Sequence, residues 1–205
     1  EREDFAEVPP KGFPREQDGH ARHLAHDAAA RKPRLHPRRP RPSLRQQLER
    51  TATMPAPQRW FEDFTPGLVT EFGDYRITEQ EIVAFARQYD PQPFHTDPDA
   101  AKGSNFGGLI ASGWNTMGAM MRMLVDHYVP ANASMGSPGV DEIRWLQPVR
   151  PGDRLRMRVT VQEQTRSRSK PDRGVVRSLN EMLNQRGEVV MTMRGMVLLR
   201  AKPNG

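Results

Sequence analysis

Between residues 112 and 129 the chain carries Trp114, Met117, Ala119, Met120, Met121, Met123, Leu124 and Val125 with few interruptions. At helical spacing these side chains spread around much of the circumference, so the helix needs cover on more than one side. Its methionines, unbranched and adaptable, suit a core better than a surface site. The sequence that follows supplies the cover. Residues 140–146, 155–162, 175–183 and 189–199 read as strands, separated by turn signals at 148–153, 170–174 and 185–187. In the third of these, Val176, Ser178 and Asn180 alternate with Val175, Arg177 and Leu179. That two-residue period fits an antiparallel sheet with one wetted face.

Ahead of the long helix, residues 69–77 predict a short strand region. Thr78 with Glu81 three residues on forms a capping box that opens a helix. Ile82, Val83, Phe85, Ala86 and Tyr89 lie on or near one face of it. Asp90 before Pro91 ends it, because proline disfavours the helical region for its predecessor. Asp97 before Pro98 then opens a short helix, the acid as cap and the proline in the first position. The order is strand, helix, loop, long helix, then four strands. It predicts one α+β domain over residues 54–205, with a long buried helix against a curved antiparallel sheet and no internal repeat.

Residues 1–53 do not share that pattern. They hold seven prolines, four of the six histidines and the basic run from Arg31 to Arg41. Such high charge with little apolar content cannot offset the entropy of ordering a chain, so the segment is expected to be a disordered extension. The break at Met54 suggests a natural start there, with the upstream part an over-extended reading or an added leader. His20, His23 and His26 sit three apart, but no carboxylate or cysteine framework surrounds them, and no metal site is expected. The segment also carries much of the net charge of +6: it holds 12 Lys/Arg and 8 Asp/Glu, which leaves the remainder at +2. A nucleic-acid role would therefore rest on the leader alone, and none is expected of the folded domain. There are no cysteines, which excludes disulfides and thiolate metal sites. No apolar run reaches the ~20 residues that span a bilayer. A cytoplasmic protein is the expectation.

The chemistry concentrates between Tyr89 and Trp114. Asp90 and His95 stand five residues apart with Pro91 and Pro93 between them. The prolines stiffen the backbone and hold both side chains in fixed relation at little ordering cost. A carboxylate and an imidazole sharing one water can polarise it and move its proton. Gln92 adds an amide that can anchor the same water or a substrate. Downstream, Gly107 and Gly108 allow a backbone to approach a ligand closely. Ser112 and Gly113 open the long helix, where free N–H groups and the positive end of the dipole form a ready site for an oxyanion. Each residue also has a plainer reading: Asp90 as helix terminator, His95 as a satisfied loop histidine, Asp97 as a cap. The conjunction points to a site.

The run Asp90-Pro-Gln-Pro-Phe-His95 resembles the D-x-N-P-x-H signature of the MaoC-like (R)-specific enoyl-CoA hydratases. Residues 96–101, the segment from Gly108 to Gly113, which is similar to the family's I-x-H-G, and the hairpin at 146–153 extend the resemblance over about residues 56–200. The resemblance implies a single hot-dog fold and reversible hydration of a trans-2-enoyl-CoA to a (R)-3-hydroxyacyl-CoA. Asp90 and His95 would activate the water, and the Gly113 amide would hold the thioester oxygen. It implies no cofactor beyond the CoA of the substrate, and a homodimer. Two positions depart from the pattern: Gln92 replaces asparagine, and Ser112 stands where histidine often precedes the glycine. Arg166, Arg168, Lys170 and Arg173 gather about one turn and are candidates for the CoA phosphates, against the plainer reading of a solvated hairpin tip. Two other functions stay open on the sequence: an acyl-CoA thioesterase, and a catalytically silent acyl-thioester-binding module.

Overall fold

A computed structural model describes residues 58–203. The expectations for residues 1–53, the three leader histidines among them, lie outside the described residues. A 3-10 turn at Phe61–Asp63 leads into β1 (Val69–Arg76) and α1 (Glu79–Tyr89). Two short helices follow, α2 (Pro93–Thr96) and α3 (Pro98–Lys102), then the long α4 (Gly113–His127). The chain closes with β2 (Val140–Trp145), β3 (Arg154–Arg166), β4 (Arg173–Leu183) and β5 (Val189–Arg200). All pairings are antiparallel, and the five strands lie in the order β1-β3-β4-β5-β2. The last three strands form a meander, while β1 and β2, separated in sequence by the helices, take the two edges.

The helix α4 packs against β1 and β3. Its closest seat is at Gly73, in the irregular stretch of β1 between Phe72 and Tyr75. Gly73 has φ +84, and a side chain there would meet Met123 Sδ of α4 at 2.6 Å. Glycine is thus required twice, for the backbone and for the close approach. The core gathers Phe64, Ile77 and Ile82 with Met120 of α4 and Met157, Met182 and Met191 of the sheet, all fully buried.

Several local expectations are met and others are altered. Thr78 caps α1, its hydroxyl accepting from Glu81 N at 3.2 Å. The reciprocal half of the box is absent, because the Glu81 carboxylate takes the Tyr75 hydroxyl instead. Ile82 and Ala86 form the buried side of α1, but Tyr89 is exposed, its ring centroid 5.0 Å from that of Phe85. The stretch around Pro93, read as a stiffened loop, closes into the one-turn α2 with the proline in its first turn. Strand β3 runs to Arg166, past the expected end, because residues 163–166 continue the ladder with residues 174–177 of β4. The sheet covers α4 on one side only. Ala119, Met120, Met123 and Leu124 are buried, whereas Trp114, Met121 and Val125 are 59%, 46% and 52% exposed. On β4 the alternating set Val176, Ser178 and Asn180 faces inward and is buried.

Candidate active site

Three elements deliver the site. The C-terminal end of α1 presents Asp90, α2 presents His95, and the N-terminus of α4 presents Ser112 and Gly113. Backbone bonds tie the segment before α4 to its neighbours: Ile110 N donates to Phe94 O at 3.2 Å and Ala111 N to Val149 O at 2.8 Å.

His95 is buried, and its Nδ1 lies 2.9 Å from the Ile110 carbonyl oxygen. A carbonyl oxygen only accepts, so Nδ1 carries the proton, and the lone pair of the neutral ring sits on Nε2. Nε2 faces Asp90 Oδ2 at 3.4 Å. Both oxygens of Asp90 hold further partners. The Ser112 hydroxyl donates to Oδ2 at 2.7 Å, and Gln92 Nε2 donates to Oδ1 at 2.7 Å. The Ser112 bond is the main cause that holds the Asp90 carboxyl below the usual carboxylate range. Partial burial opposes it, and Gln92 and the nearby His95 add to it.

The sequence puts Ser112 beside Gly113 at the oxyanion and substrate site. Its side chain is fully buried, its proton goes to Asp90, and its oxygen also caps α4 by accepting from Trp114 N at 3.3 Å. It acts on the pocket through Asp90. Gly113 N–H, in contrast, makes no hydrogen bond among the described residues and stands at the positive end of α4. The glycine is also a packing requirement. Trp145 Nε1–H donates to Gly113 O at 3.0 Å, and a side chain at 113 would meet the Trp145 ring at 2.6 Å.

Asp90, Gln92, His95 and Gly113 open onto one cavity of about 460 Å³, whose apolar wall includes Phe94, Phe106, Trp114 and Trp145. Near its rim Arg150 donates through Nη2 to the Phe106 carbonyl at 2.6 Å. Sequence reasoning missed Trp145 and Arg150. Their partners Gly113 and Phe106 lie 32 and 44 residues away, so no local pattern announces them. Asp97 stands apart as the cap of α3, accepting from Asp99 N at 2.9 Å and Ala100 N at 3.2 Å.

The proposed phosphate contacts are not brought to this cavity within one chain. Arg166 ends β3, where it binds the Pro171 carbonyl and the Glu62 carboxylate, and it lines a different groove with Trp60 and Lys202. Arg173 pairs with Asp172, and Arg168 is exposed in the same turn. The end of the sheet beside the cavity lies near the start of β3, roughly 40 Å of strand away at ~3.3 Å per residue. The clustering seen in sequence is the far hairpin tip.

An antiparallel five-stranded sheet holding a long helix, with an acid and an imidazole at the helix start, is a hot-dog fold with a hydratase- or dehydratase-type site. Residues 63–182 match the MaoC like domain, and the chain belongs to that family of MaoC-like dehydratases. The crystal structure of the MaoC-like dehydratase from Rhodospirillum rubrum is similar, at 41% identity and TM-score 0.67 over 71% of this chain and 99% of that one. Protein MaoC of Klebsiella aerogenes is 30% identical over 109 residues, 53% of this chain and 32% of that protein. R-hydratase PhaJ1 from Pseudomonas aeruginosa shares the fold, with TM-score 0.56 at 21% identity over 70% of this chain and 86% of that one. Among the described residues no helix is long and apolar enough to cross a membrane, and no cluster of three or more potential metal ligands occurs.

Proposed function

We propose that the chain catalyses reversible hydration of a trans-2-enoyl-CoA to a (R)-3-hydroxyacyl-CoA. One observation carries the reading: Asp90 and His95 share a cavity with a helix-start N–H at Gly113 that has no acceptor among the described residues. The thioester oxygen rests on that N–H, where the helix dipole favours the negative charge of an enolate. A water held by the Asp90–His95 pair adds to the β-carbon. The pair takes its proton and returns one to the α-carbon. Phe94, Phe106 and Trp114 give the acyl group apolar surface, and Arg150, bound to the carbonyl of the lining residue Phe106, is a candidate cation for a CoA phosphate. The steps draw on side chains, backbone and substrate alone.

The same reading includes a C2 homodimer. Trp114, Met121 and Val125 on the open side of α4, with Val140, Trp145 and Leu146 along and just beyond the unpaired edge strand β2, expose a run of large apolar side chains. A second copy pairing through β2 removes both liabilities.

The test is loss of the enoyl-thioester absorbance over a panel of CoA substrates, with product analysis. Hydration gives a hydroxyacyl thioester with no free thiol. Release of CoA thiol instead would make the protein a thioesterase. Binding without turnover across the panel would leave an acyl-thioester-binding module.

A further inference from the structure

The two residues that depart from the family pattern converge on one carboxylate. Ser112 and Gln92 reach Asp90 from opposite sides, one donor on each oxygen, both at 2.7 Å. We infer that Ser112 and Gln92 are positioning residues that fix Asp90 by both oxygens, leaving His95 Nε2 as the one atom of the site that takes and returns the proton. This rests on the hydratase reading and divides the labour within it.

The geometry supports the division from both partners. A carboxylate oxygen has two acceptor sites. On Oδ2 one is filled by Ser112, and the other faces His95 Nε2 at 3.4 Å. Donors on both oxygens favour the ionised carboxylate over the acid and so make Asp90 a weaker base. The Ser112 hydroxyl is fixed in that sense, because its oxygen already accepts from Trp114 N. The groups around Asp90 reinforce this. Among the described residues His95 on α2 is the one titratable side chain that acts on it, and the first turn of α4 carries no acid. The depressed carboxyl pKa agrees. On the imidazole the Ile110 carbonyl holds the proton on Nδ1, so Nε2, beside Asp90 Oδ2 in a residue that lines the cavity, is the nitrogen left to take one.

The step then balances with one proton carrier. A water O–H bond breaks toward Nε2 as its oxygen bonds the β-carbon, and the π electrons of the enoyl group move to the thioester oxygen. The imidazolium, opposite an Asp90 that stays anionic, returns its proton from Nε2 to the α-carbon as the enolate collapses. No charge is left on enzyme or product, and water has been added across the double bond.

The clamp is read first in the free protein, from the side-chain carboxyl ¹³C titration of Asp90 by NMR. Wild type should titrate below the ordinary value of about 3.9. The midpoint should rise in Ser112→Ala and in Gln92→Ala, and Ser112→Thr should restore it. Gln92 is exposed, and its side chain makes no cap bond to α2, so Gln92→Ala keeps the test valid if Ser112→Ala, which also loses the cap of α4, folds poorly. On the best enoyl thioester both alanine variants should lower kcat and leave KM within about twofold. His95→Ala should lose about 10²–10⁴-fold and recover with added imidazole. An Asp90 that titrates at the ordinary value, or does not respond to either variant, overturns the clamp. A His95→Ala enzyme that retains wild-type kcat overturns the single carrier. If the titrations move as stated while no enoyl thioester is turned over, the clamp stands and the hydratase reading is what fails.

Discussion

Placing a methyl group on Gly113 tests the packing at the mouth of the cavity. An alanine Cβ would lie 2.6 Å from Cε2 and 2.7 Å from Nε1 of Trp145, closer than carbon and nitrogen atoms pack. The backbone raises no objection. Gly113 is not among the glycines with positive φ, and alanine is a better helix former. The whole cost therefore falls on Trp145. That ring is 46% exposed and has room to swing outward. Doing so breaks its 3.0 Å bond to Gly113 O, worth about 0.5–1.5 kcal/mol, and its edge contact with Trp114 at 5.6 Å, worth a further ~0.5–1 kcal/mol. Gly113→Ala should thus destabilise by about 1–2.5 kcal/mol. At about 2–4 °C per kcal/mol for a chain of this size, Tm should fall by roughly 2–10 °C. The decisive protein is the double variant. In a Trp145→Ala background the three nearest clashes of the methyl are removed, and Gly113→Ala should cost about nothing or gain a few tenths of a kcal/mol. Thermal denaturation of the four proteins followed by circular dichroism measures the cycle. If Gly113→Ala costs as much without Trp145 as with it, the contact with that ring is not what demands glycine.

Other outcomes follow from the same geometry. Asp97→Asn should keep its activity within a few-fold and lose little stability, since asparagine caps as well as aspartate, while Asp97→Ala should lower stability by about 1 kcal/mol in thermal melts. Val125→Asp, on the exposed stripe of α4, should give a monomer by light scattering at micromolar concentration; a wild-type protein that is already a monomer would refute the proposed dimer. Asp90 has a depressed folded-state pKa, so it contributes stability above its unfolded value near 3.9, and that contribution is lost as pH falls through the folded value. The stability gap between wild type and Asp90→Asn, followed by denaturant melts at several pH values, should therefore narrow below about pH 4; a gap that widens there would contradict the assignment.

The fold was legible because its signals are local or periodic. The apolar helix, the turn sequences, the Thr78 cap and the Asp97 cap each rest on residues a few positions apart, and each appears where expected. The expectation that the sheet would cover α4 widely was too strong. An apolar circumference records everything that covers a helix, a second chain included, and Trp114, Met121 and Val125 remain open in one copy. In the site, Asp90 and His95 could be paired from their spacing and the two prolines. The role of Ser112 could not, because its partner lies 22 residues back and its hydroxyl faces inward. The arginines near residue 170 misled for the opposite reason: adjacency in sequence made a cluster, but the length of β3 carries it away from the cavity.

That length has a practical side. The cavity is lined by residues 90–116 and 145–149, while residues 163–166 and 174–177 form the other end of the sheet and lead to the turn between β3 and β4. The turn between those strands is thus a natural handle. A fluorophore, an affinity tag or a surface tether fixed there would report on or hold the protein while leaving the cavity's walls, its water and its entrance alone.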